Sequence, residues 1–427
     1  MVVAFILGGA SWGATYGFGG IWYGFACGLG LLLLGLTLAK PMRALALYTV
    51  PDVLEMRYNS RAIRFLAAVL SLLALVGILG AQVWAASAIF EAIGLPGTLG
   101  AVFATLIFIA YTAFSGLWAV ALTDFIQIIL GSIGVFVAVV LGLIKVGGID
   151  GLRLGLSKMP DLPQTPGEYF NIMSLGISLF ALTLMATVMY TLIGQDFYQR
   201  LFASKDENTA KRGAIYSGLL LMVLSFLPAL AGMLALTLSS DPQAIITSPK
   251  TAVPKLVIAV FGRGIGAIFV AAILAAVMST ADSLLSAATS HIVKDFYQSF
   301  RPETDDKRLL RLSIGTTIGV GLLALAAALT IQGIVELLIY SYDIYTSGVF
   351  VPLVLGIYWK RATKEGALLG MLAGSLTAVL GISGIVSFTY WEYIYVSGAV
   401  VSAVVMVLVS LATKVKPVDE EFEKAFA

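Results

Sequence analysis

Residues 271–290 read Ala-Ala-Ile-Leu-Ala-Ala-Val-Met-Ser-Thr-Ala-Asp-Ser-Leu-Leu-Ser-Ala-Ala-Thr-Ser. These twenty residues carry a single charge, which is the length and polarity of a helix that crosses the bilayer core. At helical spacing Ala272, Ala276, Ser279, Ser283, Ser286 and Ser290 share one face, with Asp282 beside it. A carboxylate at membrane depth costs ~2.5–3.5 kcal/mol on insertion scales and marks ion or substrate paths. A stripe of hydroxyls flanked by one carboxylate offers the all-oxygen environment that hard cations take. Alternatively, the hydroxyls bond back to their own helix. That accounts for any one serine, and less well for the stripe together with Asp282.

The rest of the chain has the same character. Its 427 residues are 59% hydrophobic and 12% charged, with a mean hydropathy of +0.97. Soluble domains carry about 25% charged residues, so composition excludes a soluble fold of this size. Twelve apolar segments follow: 2–18, 20–39, 65–92, 97–118, 122–146, 171–193, 213–239, 256–291, 309–331, 333–358, 365–387 and 392–412. Assigning the intervening stretches to alternate sides puts Lys145, Arg153, Lys158, Lys250, Lys255 and Arg263 on one side. The other 20 of the 26 Lys and Arg fall opposite. The positive-inside rule makes the richer side, and the tail from Thr413, cytoplasmic. The expectation is a multi-pass protein of the plasma membrane with the lipid bilayer as its surroundings.

Several functions drop out. A net charge of +2 gives no field for nucleic acid. Cys27 is the only cysteine and His291 the only histidine, so disulfides, thiolate clusters and multi-histidine metal sites are excluded within the chain. His291 reads as an interfacial residue. No phosphate-binding GxxxxGK[ST] loop occurs, which speaks against ATP-driven transport and an enzyme. Glycines repeat every fourth residue at Gly9/Gly13/Gly17, Gly20/Gly24/Gly28 and Gly366/Gly370/Gly374. This spacing lets helices approach closely within one bundle, or, as a secondary reading, between two copies.

Two further polar groups stand out. Asp124, in Thr123-Asp124-Phe-Ile-Gln127, is read as a helix cap or as part of an ion site. Glu336 and Asp343, seven apart near Tyr340, Tyr342 and Tyr345, share a face; the tyrosines suit either a wet cavity or interfacial anchoring.

These motifs resemble the sodium:solute symporter family. Ala275-Ala-Val-Met-Ser-Thr-Ala-Asp-Ser283 with Lys294-Asp-Phe-Tyr297 is similar to its eighth-core-helix signature. Gly116-Leu-Trp-Ala-Val-Ala-Leu-Thr-Asp-Phe-Ile-Gln127, Tyr48-Thr-Val-Pro-Asp52 with Arg57-Tyr58, Gly194-Gln195 with Arg200, and Tyr358-Trp-Lys-Arg-Ala-Thr-Lys-Glu-Gly-Ala367 match further family motifs, in order. The resemblance implies an all-α integral membrane protein of the leucine-transporter type. In that fold two inverted five-helix repeats, here 1–146 and 171–358, are followed by two extra helices, 365–412, and a tail, 413–427. Broken helices expose carbonyls to sodium at the midplane, and Gly8-Gly9 interrupts the first apolar run.

By resemblance, the shared sodium site is formed by Val3, Ile6, Ala276, Ser279 and Thr280. A second cation site would use Asp124, Asp282 and Ser283 with Ser279. Gly9, Gln82, Tyr111 and Tyr190 are the substrate candidates. Val188 and Leu192, with Gly9, stand where proline-transporting members carry aromatics, which argues against proline. The family also implies a helix before the first core helix and a complete first core helix, so an internal start is expected at Met1. The implied activity is sodium-coupled symport of a small organic solute, with no other cofactor. The alternatives are proton coupling through Asp282 and Asp124, or a membrane sensor without transport.

Overall fold

The computed structural model describes residues 4–159, 161–330, 334–383, 385, 394–415 and 417–426; the side chains of residue 4, 114–128, 130, 263, 334–339 and 394–395 lie outside that description. Val3 and the side chains of Asp124 and Glu336 are therefore outside the described residues. The regular structure among the described residues is all helical.

The first apolar run is not interrupted at Gly8-Gly9 as the sequence suggested: Gly8 has helical φ/ψ (−65°, −48°), and only the helical hydrogen-bond pattern changes there. A π-helical turn, Ala4–Gly8, passes into α1, Gly9–Tyr16. A short 3-10 turn, Gly17–Gly20, leads to α2, Ile21–Thr37. Gly17 has φ +60°, and a Cβ there would meet Tyr169 O at 2.1 Å, so this corner requires glycine. After α3, Ala39–Ala44, comes α4, Val50–Tyr58. Thr49 and Asp52 form a capping box at its start, with Pro51 in the first turn.

The long α5, Arg61–Ala92, is followed by a helical run, α6, Gly97–Val146. Both ends of α6 lie at the same end of the bundle. Gly97 packs on Glu91 and Ser87, and Glu91 pairs with Lys250 at 3.3 Å. Lys145 bonds the carbonyls of Ala259 and Val260 at 3.1 and 2.9 Å. Thr112, between them in sequence, reaches Asp282 much further along the partner helix. The run thus carries two passes, as segments 97–118 and 122–146 require. It ends at Gly147 (φ +88°), beyond which α7, Gly148–Ser157, turns away by 73°.

The second half opens with α8, Gly176–Ile193, and α9, Gln195–Phe202. The next crossing is split into α10, Glu207–Leu224, and α11, Phe226–Leu238. Asp206 caps α10 by accepting from Thr209 N, and this bond holds its carboxyl below the usual range. After α12, Pro242–Thr247, follows α13, Ala252–Ser290, interrupted at Gly262 (φ +74°, ψ 175°) and continued by the π-helical His291–Gln298. Then come α14, Asp306–Thr330, and α15, Ile334–Tyr345, which passes through π-helical Thr346–Phe350 into α16, Val351–Tyr358. The outer pair is α17, Lys364–Ile382, and α18, Ile394–Ala412. The tail adds a short helix, α19, Glu420–Phe426, whose Phe422 is buried beside Arg57.

Among the described residues seven spans are long and apolar enough to cross a membrane, one of them Phe5–Thr37, which covers most of the first two predicted segments. Predicted segments 97–118, 122–146, 333–358 and 392–412 are helical where described.

Helix α13 is central, packed against α5, α6, α11 and α14. A second group forms where α1 lies on α11 and α2 on α8 and α10. Glycine sets these distances. A Cβ at Gly13 would fall 2.2 Å from Ala229 O, one at Gly28 2.6 Å from Gly218 O, and one at Gly366 2.7 Å from Met406 O. The glycine stripes therefore serve packing within the chain.

Candidate functional site

The polar stripe of α13 faces inward. Ala276, Ser279, Thr280, Asp282 and Ser283 are all buried. The helix's outer half is offset by the Gly262 break, and the π turn Ala4–Gly8, which contains buried Ile6, packs against α13. Thr280 Oγ1 donates to Ala276 O at 3.3 Å, and Ser283 Oγ to Ser279 O at 3.2 Å. Ser290 does the same to Ser286 O at 2.9 Å. Back-bonding is thus realised at these three residues. It does not remove them as ligands, because a hydroxyl that donates its proton keeps its lone pairs. In fact it brings Thr280 Oγ1 and Ala276 O together.

Asp282 is 1% exposed. The hydroxyl of Thr112, on α6, lies between Phe108 O (2.8 Å) and Asp282 Oδ1, to which it donates. Of the second-site candidates, Ser279, Asp282 and Ser283 sit on successive turns of one helix, while the side chain of Asp124 is outside the described residues.

A group that sequence reasoning did not assign to this site arrives from α9. Arg200 Nη2 donates to Ser283 Oγ at 2.7 Å, and Gln199 Nε2 donates to Ser283 O at 3.0 Å. The available signal was the polar stretch at 195–212, where Gln199 and Arg200 adjoin the matched Gly194-Gln195. Their contact with α13 spans 83 and 84 residues, beyond any local pattern.

Of the substrate candidates, Tyr190 lies in an aromatic cluster. Its ring is 4.3 Å from Tyr342 and 6.3 Å from Tyr345, and its hydroxyl donates to Asp196 Oδ1 at 3.0 Å. Tyr345 donates to Ile193 O at 2.9 Å. Tyr345 is therefore buried and Tyr342 half-buried in this cluster, which is not the setting of interfacial anchors, while Tyr340 is half-buried. Asp343, beside Tyr342, is also buried. Gln82 is buried on α5, with its amide 3.5 Å from Ile78 O of the same helix. Tyr111 lies on α6, and Gly9 on α1 touches Pro228.

His291 departs from the expectation of an interfacial residue. It is fully buried, with Nδ1 2.7 Å from Asp295 Oδ2 and Nε2 2.7 Å from Ser71 Oγ. Asp295 also accepts from Thr49 Oγ1 and Arg64 Nε, each at 2.9 Å. Arg64 Nη1 bonds Glu55 at 2.7 Å, and Asp52 lies against the same guanidinium. Burial pushes the Asp52 carboxyl up, and the Asp295 charge adds to this against the pull of Arg64. The π-helical turn at 291–298 swings His291 and Asp295 inward, which an α-helical projection of the sequence does not anticipate.

The profile of the sodium:solute symporter family matches residues 1–374. The chain belongs to that family. It is 31% identical over 358 residues to the sodium/pantothenate symporter of Escherichia coli K12, covering 82% of this chain and 73% of that protein. It is 26% identical over 355 residues to the sodium/glucose cotransporter of Vibrio parahaemolyticus, covering 77% of this chain and 65% of that one. The chain therefore spans about two-thirds to three-quarters of the length of these two relatives. Among solved structures, a sodium-coupled sialic acid symporter in a substrate-bound outward-open state superposes with a TM-score of 0.81 at 18% identity, over 97% of this chain and 88% of that one. MhsT in complex with L-phenylalanine aligns at 0.53 and 14% identity, over 96% of this chain and 98% of that one. These likenesses establish the leucine-transporter-type fold of this symporter-family chain. Its relatives are transporters, not enzymes.

Proposed function

We propose that the chain is a secondary active transporter that carries a small organic solute into the cell together with sodium. One observation carries this reading. In a chain of this family, the buried residues Ala276, Ser279 and Thr280 on α13 face inward where the π turn of the first helix packs against it. Sodium is bound there by the carbonyls of Val3, Ile6 and Ala276 and the hydroxyls of Ser279 and Thr280. A π turn frees carbonyls from regular pairing, and hard cations take such oxygen sets.

Sodium bridging the first helix to α13 holds the outward-open state, and rocking of one helix group against the other releases it inside by alternating access. One charge crossing 100 mV supplies ~2.3 kcal/mol, enough for a roughly 50-fold solute gradient. The end that carries Arg57, Arg64 and Asp295 is cytoplasmic, and the protein resides in the plasma membrane. Tyr190, Tyr342 and Tyr345 supply an aromatic wall for the solute, with Gly9, Gln82 and Tyr111 on the neighbouring helices.

The test is sodium-dependent thermal stabilisation of the purified protein, since a ligand of the folded state raises its melting temperature. Ser279→Ala combined with Thr280→Ala is expected to weaken the sodium response at least tenfold. An unchanged response rejects the site.

A further inference from the structure

The short tail helix α19 is amphipathic and docked. Val418, Phe422 and Phe426 recur every fourth residue and pack on the core, while Glu420, Glu421, Glu423 and Lys424 are exposed. Phe422 is 3% exposed, and its ring lies 4.8 Å from that of Phe426. On one side α19 packs against α3, which continues from α2 and lies on α10. On the other, the Arg57 guanidinium of α4 stands 6.0 Å from the Phe422 ring. Arg57 is itself buried. Its Nε bonds Gly356 O, and its Nη2 bonds Trp359 O and Ala362 O at 3.2 and 3.4 Å, which fastens α4 to the end of α16. Burial disfavours the Arg57 charge, and Glu423 of α19 is among the groups that oppose this.

These two sides belong to different helix groups. Helices α2, α3 and α10 form one with α8, whereas α4 packs on α5, which lies against the central α13. The groups meet at this end beneath the tail: Gln195, at the start of α9, accepts from Val50 N at 2.8 Å and donates to Tyr48 O at 3.0 Å. A seven-residue helix that touches both groups loses one of its contacts when they rotate apart here. Burying a phenylalanine side chain is worth roughly a tenfold to hundredfold shift in an equilibrium, so the docked tail favours the closed end.

We propose that α19 is a strap across the two helix groups, an autoinhibitory contact that holds this end shut and slows release of the solute until the strap lifts. This inference rests on the rocking motion proposed above, and the experiment separates the two.

Spin labels are placed at Lys205→Cys, ahead of α10, and Ala62→Cys, on α5, both exposed positions in opposite groups. Cys27→Ala removes the one native cysteine. Distances between the labels are measured in liposomes by double electron–electron resonance, in sodium and in potassium. The chain with its tail is expected to give mainly the short distance. Deletion of residues 417–427 is expected to enlarge a longer-distance population roughly tenfold. Phe422→Ala makes the same prediction at full chain length and serves where the deletion variant does not fold, while Lys424→Gln is expected to match the parent. Distances that respond to the exchange of sodium for potassium but are identical in the parent and a folded Phe422→Ala variant overturn the strap alone. Distances that never change, in any variant or either salt, reject the rocking motion and the strap with it.

Discussion

Asp295 gathers more donors than any other carboxylate near the Arg64 end that is described above. Thr49, Arg64 and His291 all converge on it, and they tie α4, α5 and the π turn after α13 into one knot. Removing one partner of a buried pair leaves the other charge uncompensated, which costs about 3–5 kcal/mol. Asp295→Asn is therefore expected to lower the melting temperature markedly, whereas Lys424→Gln, in an exposed pair, leaves it unchanged. Equal effects in a melting series would contradict the knot. None of this was legible in the sequence. Thr49 and Arg64 lie 246 and 231 residues from Asp295, and a π turn rather than an α turn aims His291 inward. By contrast, the stripe on α13 was legible, because a regular helix preserves the 3.6-residue spacing on which the reading rests.

At the scale of elements, the fold is held by close helix approaches more than by polar contacts. Gly13 and Gly232 set the α1–α11 crossing: a Cβ on Gly13 would fall 2.2 Å from Ala229 O, and one on Gly232 2.1 Å from Ala10 O. Neither backbone can yield without separating the helices. Gly13→Ala is expected to cost about 1–3 kcal/mol through overpacking and to depress sodium-stimulated stabilisation, since α1 continues directly from the turn that holds Ile6. Gly147→Ala, where a Cβ has open space but φ is +88°, tests backbone strain alone and should leave the sodium response intact. A melting series with sodium titration distinguishes them. The repeating glycines announced these contacts in the sequence, whereas the break expected at Gly8-Gly9 is a change from π to α pairing without a kink. The split of the seventh crossing at Ser225, ahead of Pro228, was not anticipated, because the apolar run passes through it without a change of pattern.

For the whole molecule, the distribution of basic residues is the most informative long-range signal. Contacts in the fold respect the predicted sides. Arg43 bonds Ser204 O, Lys294 lies over the Tyr48 ring, and Arg361 bonds Leu411 O at the rich end. Lys250 pairs with Glu91, and Arg153 lies over the Phe170 ring, at the other. Because Cys27 is the only native thiol and is buried, sidedness can be read with introduced cysteines at exposed positions. An impermeant maleimide is expected to label Lys158→Cys in intact cells, and Lys205→Cys only after permeabilisation. Labelling of both in intact cells contradicts the topology. What the sequence could not convey at this scale is how the two helix groups meet, since that depends on side chains brought together from distant segments, Tyr190 and Tyr342 among them.

The central claim is that a sodium gradient drives solute uptake. A thermal-shift screen over amino acids, monocarboxylates, sugars and vitamins identifies a stabilising solute, and the purified protein in proteoliposomes then tests it. An inward sodium gradient is expected to concentrate that solute, and an equal potassium gradient is not. Uptake that runs undiminished in sodium-free vesicles under a pH jump would contradict the account.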